Sequence, residues 1–116
     1  MSLERVKQAL IGLGLSRVDA EVYVHLAKKG PIEIGDLSNA LKFSKQKLNR
    51  SLKNLQSKGI VSGRLEGKAL FSALPFEQTI ELLIEIKTEQ AQVMQESKED
   101  LVSSWRKMTE DGFEKS

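Results

Sequence analysis

The sequence predicts a mainly α fold with a small β-hairpin. Apolar residues recur at helical spacing in several segments, and these segments are preceded by serine or followed by glycine. Two short, strand-like runs flank the turn-forming residues Glu66-Gly67-Lys68, a pattern typical of a β-hairpin. Residues 76–108 contain neither proline nor glycine, so we expect one long helix there.

The first two helices are predicted to lie before the Gly30-Pro31 break. Within residues 2–11, apolar side chains recur at helical spacing. Ser16 with Asp19 is typical of a second helix start, where the hydroxyl and the carboxylate both accept hydrogen bonds from free backbone N–H groups. That helix should end at Gly30-Pro31 because glycine adopts the left-handed cap and proline cannot continue the helix. Its apolar stripe consists of Val18, Val22 and Leu26.

A helix-turn-helix motif is predicted next. Residues 32–34 are a short β-branched strand, and residues 36–41 form a short helix. After a turn at residues 42–44, Ser44 caps a longer helix over residues 45–58. Two helices joined by a turn of about three residues form this motif.

The hairpin that follows completes a winged helix-turn-helix domain over residues 1–74. Its strand-like runs are residues 60–65 and 69–73, and the hairpin, residues 60–73, is the wing. Residues 75–110 are expected to form a long C-terminal helix, and residues 111–116 a polar tail.

Positive charge is concentrated in one part of the chain. The net charge of the whole chain is only +2. Residues 42–68 hold eight basic residues against Glu66 alone, whereas residues 69–116 hold five basic and ten acidic residues. A local positive segment in a nearly neutral protein favours a polyanionic partner.

The helix over residues 45–58 separates an apolar side from a basic side. Leu48, Leu52 and Leu55 form a narrow apolar stripe. The opposite side consists of Gln46, Arg50, Lys53 and Ser57, flanked by Asn49 and Asn54. Arginine and lysine pair with guanine, while asparagine and glutamine pair with adenine. These side chains favour a recognition helix in the DNA major groove.

Duplex DNA is the favoured partner of this domain. An exposed helix suits a wide groove that RNA lacks, and no aromatic platform for base stacking is evident. The wing is expected on the flanking backbone or in the minor groove. The predicted DNA-binding residues are Ser44, Lys45, Gln46, Lys47, Asn49, Arg50, Lys53, Arg64 and Lys68.

Simpler interpretations stay open for these features. A basic side can be an ordinary solvated face, and charges at a hairpin tip can serve solubility alone. An alternative function is a winged-helix protein–protein interaction module of the transcription or replication machinery. Such a module would normally expose apolar residues where this helix has Gln46, Arg50 and Lys53.

Several function classes have no support in the sequence. Cysteine is absent, His25 is the single histidine, and no phosphate-binding glycine loop or calcium loop is present. We therefore expect no enzymatic activity, no metal and no cofactor, with His25 half-buried. The lack of cysteine suits the cytoplasm, where a nucleoid-associated protein would lie. No apolar run approaches the length of about 18 residues that crosses a bilayer, so no membrane partner is expected.

The long C-terminal helix carries a coiled-coil seam with alternating steps of four and three residues. Lys87 and Lys98 interrupt this seam. A helix of this length needs a partner for its far half, and a two-fold homodimer would set two recognition helices on successive turns of DNA. Alternatively, the helix folds back and buries Trp105. Parallel and antiparallel pairing both stay open. The predicted interface residues are Ile80, Ile84, Ala91, Met94, Leu101, Trp105 and Met108.

Three segments of the chain resemble the N-terminal domain of the TrmB-like archaeal transcriptional regulators. They are LGLSRVDAEVYVHLAKKGP at residues 13–31, DLSNAL at 36–41 and SKQKLNRSLKNLQSKGIV at 44–61. The family pattern is LGL(S/T)xxEAxVYxxL, a G-P break, and a helix ending in LxxLxxKGxV. The resemblance covers about residues 3–90. The chain departs from the pattern around the E-A pair, at Asp19-Ala20-Glu21, and has Lys47-Leu48-Asn49 where a V-Y pair is frequent.

The resemblance implies a winged-helix, DNA-binding regulator that dimerises through the helix after the wing. Full-length members of this family add a sugar-sensing domain. The 116 residues end before such a domain could begin, so we expect a stand-alone DNA-binding form without a sugar effector. The DNA contacts that the resemblance implies are Ser44, Lys45, Gln46, Lys47, Asn49, Arg50, Lys53 and the wing.

Overall fold

The computed structural model describes residues 2–63 and 70–111. It confirms a mainly α fold with a small β-sheet. The helices are α1 (Leu3–Gly12), α2 (Arg17–Lys29), α3 (Ile34–Leu41), α4 (Lys45–Ser57), α5 (Phe76–Glu96) and α6 (Lys98–Asp111). The strands are β1 (Ile32–Glu33), β2 (Val61–Ser62) and β3 (Leu70–Ala73).

The sheet has three antiparallel strands in the order β1-β3-β2. Ile32 lies opposite Phe71, and Val61 lies opposite Ala73. The short strand and the two hairpin strands were expected from the sequence, but the pairing of β1 with β3 was not. The predicted turn, Glu66-Gly67-Lys68, lies outside the described residues.

Gly63 allows the two wing strands to approach closely. A Cβ atom at this position would lie 2.5 Å from a ring carbon of Phe71 and 2.9 Å from the carbonyl oxygen of Leu70. Phe71 is fully buried and cannot move aside without leaving the core. A side chain at residue 63 would therefore push the strands apart.

One apolar core joins α1, α2, α3, α4, the sheet and the first part of α5. The predicted stripe of α4 is confirmed, since Leu48, Leu52 and Leu55 are all fully buried. On α2, Val22 and Leu26 are buried as expected, and Val18 packs partly against the core. The large residues Tyr23 and Phe71, Leu10 of α1 and Leu37 of α3 complete the fully buried centre.

Serine side chains cap the N-termini of three helices, α1, α2 and α4. Each Oγ accepts a hydrogen bond from the backbone N–H three residues later: Ser2 from Arg5 at 3.2 Å, Ser16 from Asp19 at 3.0 Å and Ser44 from Lys47 at 3.1 Å. These bonds satisfy donors that have no partner within the helix. At the other end of α2, Gly30 has a φ of 80°, in agreement with the predicted break.

The turn between α3 and α4 has a defined geometry. Lys42 adopts the left-handed conformation, with a φ of 63°, and its N–H donates to the carbonyl of Ser38. The hydroxyl of Ser38 donates to the carbonyl of Phe43 at 2.7 Å. These contacts end α3 and direct the chain into α4, as in a helix-turn-helix motif.

The first turn of α5 is attached to α2 and the sheet at Leu74. The carbonyl oxygen of Leu74 accepts from the hydroxyl of Tyr23 at 2.7 Å and from that of Thr79 at 3.2 Å. The Leu74 N–H donates to the carbonyl of Ile60 at 2.8 Å. Burial raises the pKa of Tyr23, so its phenol stays protonated and can donate this bond.

The chain forms two compact units, Met1–Ile84 and Glu85–Ser116. The helix that was predicted as one element over residues 76–108 is two helices, α5 and α6, with Ser97 between them. Backbone hydrogen bonds continue through Ser97, because its N–H donates to Val93 and its carbonyl accepts from Leu101, both at 3.0 Å. None of the described helices combines the length and the apolar character that crossing a membrane requires.

Candidate nucleic-acid interface

The outer face of α4, defined as Gln46, Arg50, Lys53 and Ser57, is exposed along the whole helix. The neighbouring Lys45 and Lys47 are exposed as well. The leucine stripe turns this face outward, because burying Leu48, Leu52 and Leu55 leaves the opposite side to solvent. The structure thus brings most of the predicted DNA-binding side chains of α4 together on one accessible surface.

The basic charge of α4 is not neutralised by ion pairs within the described part of the chain. The described ion pairs join α1 and α2: Lys7 with Glu21 at 3.2 Å, Arg17 with Glu4 at 2.8 Å and Arg17 with Glu21 at 3.6 Å. The sequence of α4 contains no acidic residue. Its cations are therefore available to a polyanion.

The start of α4 is electropositive. The Ser44 hydroxyl caps the helix, and this end carries the positive pole of the helix dipole. The ammonium of Lys47 lies 5.2 Å from the centre of the Phe43 ring. A cation over an aromatic face is attracted to it, so Phe43 holds the Lys47 side chain beside the turn. Sequence reasoning missed Phe43, because it lies in the turn before α4, where helical spacing does not apply.

Three predicted contacts differ from the rest. Asn49 is half-buried, so less of its amide is accessible than that of Gln46. Arg64 and Lys68 of the wing lie outside the described residues, and their roles stay predictions.

Asn54, which was predicted to flank the base-reading side chains, is hydrogen-bonded within the protein. The Asn54 Nδ2 donates to the Asp19 carboxylate at 2.6 Å, and its Oδ1 accepts from the ammonium of Lys58 at 3.0 Å. Both ends of the amide are thus engaged within the protein, although the residue is exposed.

The sequence-based role of Asp19 was also wrong. Its backbone N–H is capped by Ser16 as expected, but its carboxylate does not cap α2. Instead the carboxylate accepts from the buried Ser51 hydroxyl at 2.6 Å and from Asn54. These three residues are the α2–α4 bridge. The spacing of Asp19 from Val22, Tyr23 and Leu26 indicated a buried position, but nothing local in the sequence identified partners more than 30 residues away.

His25 is half-buried, as expected from its position beside the apolar stripe of α2. Burial lowers its pKa, and the nearby positive charges of Lys29 and Lys28 lower it further. A neutral imidazole is therefore favoured in the folded protein at neutral pH. No group of metal-ligating side chains large enough to hold an ion occurs within residues 2–63 and 70–111.

The seam residues of α5 and α6 fall into two groups. Ile80 is half-buried and packs against the core of the first unit. The other six are exposed: Ile84 by 49%, Met94 by 62%, Leu101 by 54%, Trp105 and Met108 by 56% each, and Ala91. Val93 and Val102, which were not predicted, are exposed beside them.

Solved structures similar to this chain share its fold. A possible transcriptional regulator from Methanosarcina mazei is 22% identical, with 81% of this chain and 87% of that chain covered and a TM-score of 0.60. A protein from Sulfolobus tokodaii is 23% identical, with 80% and 98% covered and a TM-score of 0.63. A MarR family protein from Bacillus stearothermophilus is 20% identical, with 93% and 81% covered and a TM-score of 0.54.

These likenesses show the winged-helix fold alone, since all three identities are low. Among curated proteins, no sequence matches this chain. The family model described as the sugar-specific transcriptional regulator TrmB matches residues 10–77, which run from the end of α1 to the start of α5. That span covers more than half of the chain and contains the complete helix-turn-helix. This chain belongs to the TrmB family of transcriptional regulators.

Proposed function

We propose that this protein is a sequence-specific regulator that binds double-stranded DNA as a homodimer. In this proposal α4 lies in the major groove, and the wing over residues 60–73 lies on the flanking backbone or in the minor groove. The observation that carries it is the outer face of α4, where Gln46, Arg50 and Lys53 are exposed together. These side chains have the chemistry that reads base edges and contacts phosphates.

The helix geometry supports contact at the start of α4. Ser44 and Lys45 lie at the end of the helix that attracts phosphate, and Lys47 is held nearby by Phe43. A protein-docking face would present apolar side chains at these positions. Charged and amide groups therefore favour DNA over the alternative of a protein–protein interaction module.

The seam supports the homodimer. Met94, Leu101, Trp105 and Met108 are each more than half exposed in the single chain. Several large apolar side chains exposed along one helical seam are typical of an association site. A second copy of the same helices offers a complementary seam, and two-fold pairing would place two α4 helices on one DNA duplex.

Fluorescence anisotropy with random duplex DNA at several salt concentrations tests the DNA-binding part. We expect wild-type binding to weaken steeply with salt, because counterions are released when phosphates are contacted. The Arg50→Ala/Lys53→Ala variant should lower the salt slope by about two, roughly one for each lost phosphate contact.

The matched control is Lys28→Ala/Lys29→Ala, which also removes two exposed charges, but from the end of α2. It should leave the slope close to that of wild type. An equal decrease of the salt slope in both variants would show that only the net charge of the protein matters. Binding no tighter than millimolar at low salt would refute DNA binding and favour the protein-interaction module.

A further inference from the structure

A buried carboxylate lies against the side of α4, between the leucine stripe and the outer face. Asp19 is 4% exposed, and no ion pair to it occurs within the described residues. Its two oxygens accept separate bonds of 2.6 Å, Oδ1 from Ser51 and Oδ2 from Asn54. Burying a charge is costly unless its hydrogen-bonding capacity is used, so this contact is a strong constraint between α2 and α4.

The α2–α4 bridge holds α4 at two points. Ser51 and Asn54 are three residues apart and therefore lie on the same side of the helix. Two directional bonds to one carboxylate oppose both rotation of α4 about its axis and sliding along it. The leucine stripe already fixes which side of α4 faces the core, and the two bonds add directional restraints to that packing. Lys58 adds to the constraint, since its bond to Oδ1 of Asn54 keeps the Nδ2 side turned toward Asp19.

The bridge is adjacent to the side chains that would contact DNA. Lys47 and Arg50 line the same open concavity as Asp19. Arg50 precedes Ser51 directly in the chain, and Lys53 precedes Asn54. Any rotation that the bridge prevents would therefore displace these cations relative to the base edges.

We propose that Asp19 is a positioning residue that sets the orientation of α4 for base recognition through Ser51 and Asn54, without contacting DNA itself. This inference rests on the proposed DNA-binding function. Base-edge hydrogen bonds require precise geometry, whereas attraction to phosphates tolerates displacement. Loss of the bridge should therefore reduce binding to a preferred sequence and leave binding to random DNA intact. Replacing Asp19 also removes a negative charge beside Lys47 and Arg50, which favours binding to any DNA sequence.

The test uses a preferred duplex selected from a random library with the wild-type protein. The ratio of Kd values for random and selected duplexes is then measured by anisotropy. We expect Asp19→Ala to lower this ratio at least tenfold, with the Kd for random DNA unchanged or lower. Ser51→Ala, a milder change, should lower the ratio in the same direction. An unaltered ratio in both variants would overturn the inference.

A double-mutant cycle separates positioning from direct contact. Asn54→Ala should lower the ratio as Asp19→Ala does, and Asp19→Ala/Asn54→Ala should lower it no further, because both residues act through one bridge. Multiplicative losses would instead place Asn54 on the DNA and overturn its role in the bridge. Glu21→Ala is the control. It also removes a carboxylate from α2, but the Glu21 carboxylate forms ion pairs with Lys7 and Arg17 and not with a residue of α4.

Amide hydrogen exchange of the free proteins provides a readout without DNA. In Asp19→Ala, the amides in the second half of α4 should exchange at least tenfold faster relative to those of α1. Unchanged exchange in α4 would overturn the bridge even if DNA binding is confirmed. Failure of the wild type to select any sequence would instead refute sequence-specific recognition, and the positioning role with it.

Discussion

Side chains of the same chemical type differ in their availability on α4. Gln46 is exposed, Asn49 is half-buried, and both ends of the Asn54 amide are bonded within the protein. A helical wheel places all three on or beside one polar side, yet only Gln46 is both exposed and without a side-chain hydrogen bond among the described residues. At the scale of single residues, hydrogen-bond partners rather than residue type decide which amide can read a base.

His25 should make the stability of the protein depend on pH. Its pKa in the folded protein is lowered, chiefly by burial, so the unfolded chain binds a proton more readily. Stability from this group is therefore complete above the unfolded value of about 6.5 and is lost as the pH falls through the lower folded value. We expect urea midpoints to fall between pH 7.5 and pH 5 by more in wild type than in His25→Gln. Parallel midpoints in the two proteins would show that His25 does not contribute.

The helices begin where local chemistry permits. Ser2, Ser16 and Ser44 each supply one acceptor to a backbone donor three residues later, and each precedes an amphipathic segment. The bond needs only residues within one turn of chain, so it forms in the same way on α1, α2 and α4. For α4 this cap also determines where the positive end of the helix faces a ligand.

The three caps should differ in their contribution to stability. Ser16→Ala and Ser44→Ala should each lower the free energy of unfolding by about 1 kcal/mol, because an N–H donor loses its partner. Ser2→Ala should cost less, since the first turn of a terminal helix frays without the cap at little loss of packing. Urea denaturation followed by circular dichroism measures all three. Equal losses would mean that α1 is held as firmly as α4.

At the scale of the whole molecule, the two compact units have different surfaces. The first unit, Met1–Ile84, buries most of its large apolar residues in one core. Within the second unit, Glu85–Ser116, the large apolar residues Met94, Leu101 and Trp105 are mostly exposed. The acidic residues of that unit would repel DNA, so a basic face for DNA and an apolar face for self-association are expected on different units.

Self-association should depend on the seam. Leu101→Gln should weaken the dimer roughly thirtyfold, because burying the exposed half of a leucine contributes about 1 kcal/mol in each of the two subunits. Leu70→Gln is a matched control, since Leu70 on β3 is 52% exposed and Leu101 is 54% exposed. Sedimentation equilibrium gives both dissociation constants. A monomeric wild type at every concentration studied, or equal weakening by both substitutions, would contradict the proposed dimer interface.

Elements whose cause lies within a few residues were determined by the sequence itself. The caps at Ser16 and Ser44, the Gly30 break and the leucine stripe of α4 depend on spacings of three or four residues, so periodicity and capping rules predicted them. The cap at Ser2 was not predicted. The predicted bounds of the short strands agree less closely with the structure, because strand length depends on pairing partners that local patterns do not specify.

Only the tertiary structure decided the contacts that join distant segments. Asp19 lies 32 residues from Ser51 and 35 from Asn54 in the sequence. Strand β1 pairs with β3 rather than with β2, the next strand along the chain. These contacts depend on how α2 packs on α4 and on where the sheet closes. That packing results from burying the whole core at once, so no single motif in the sequence encodes it.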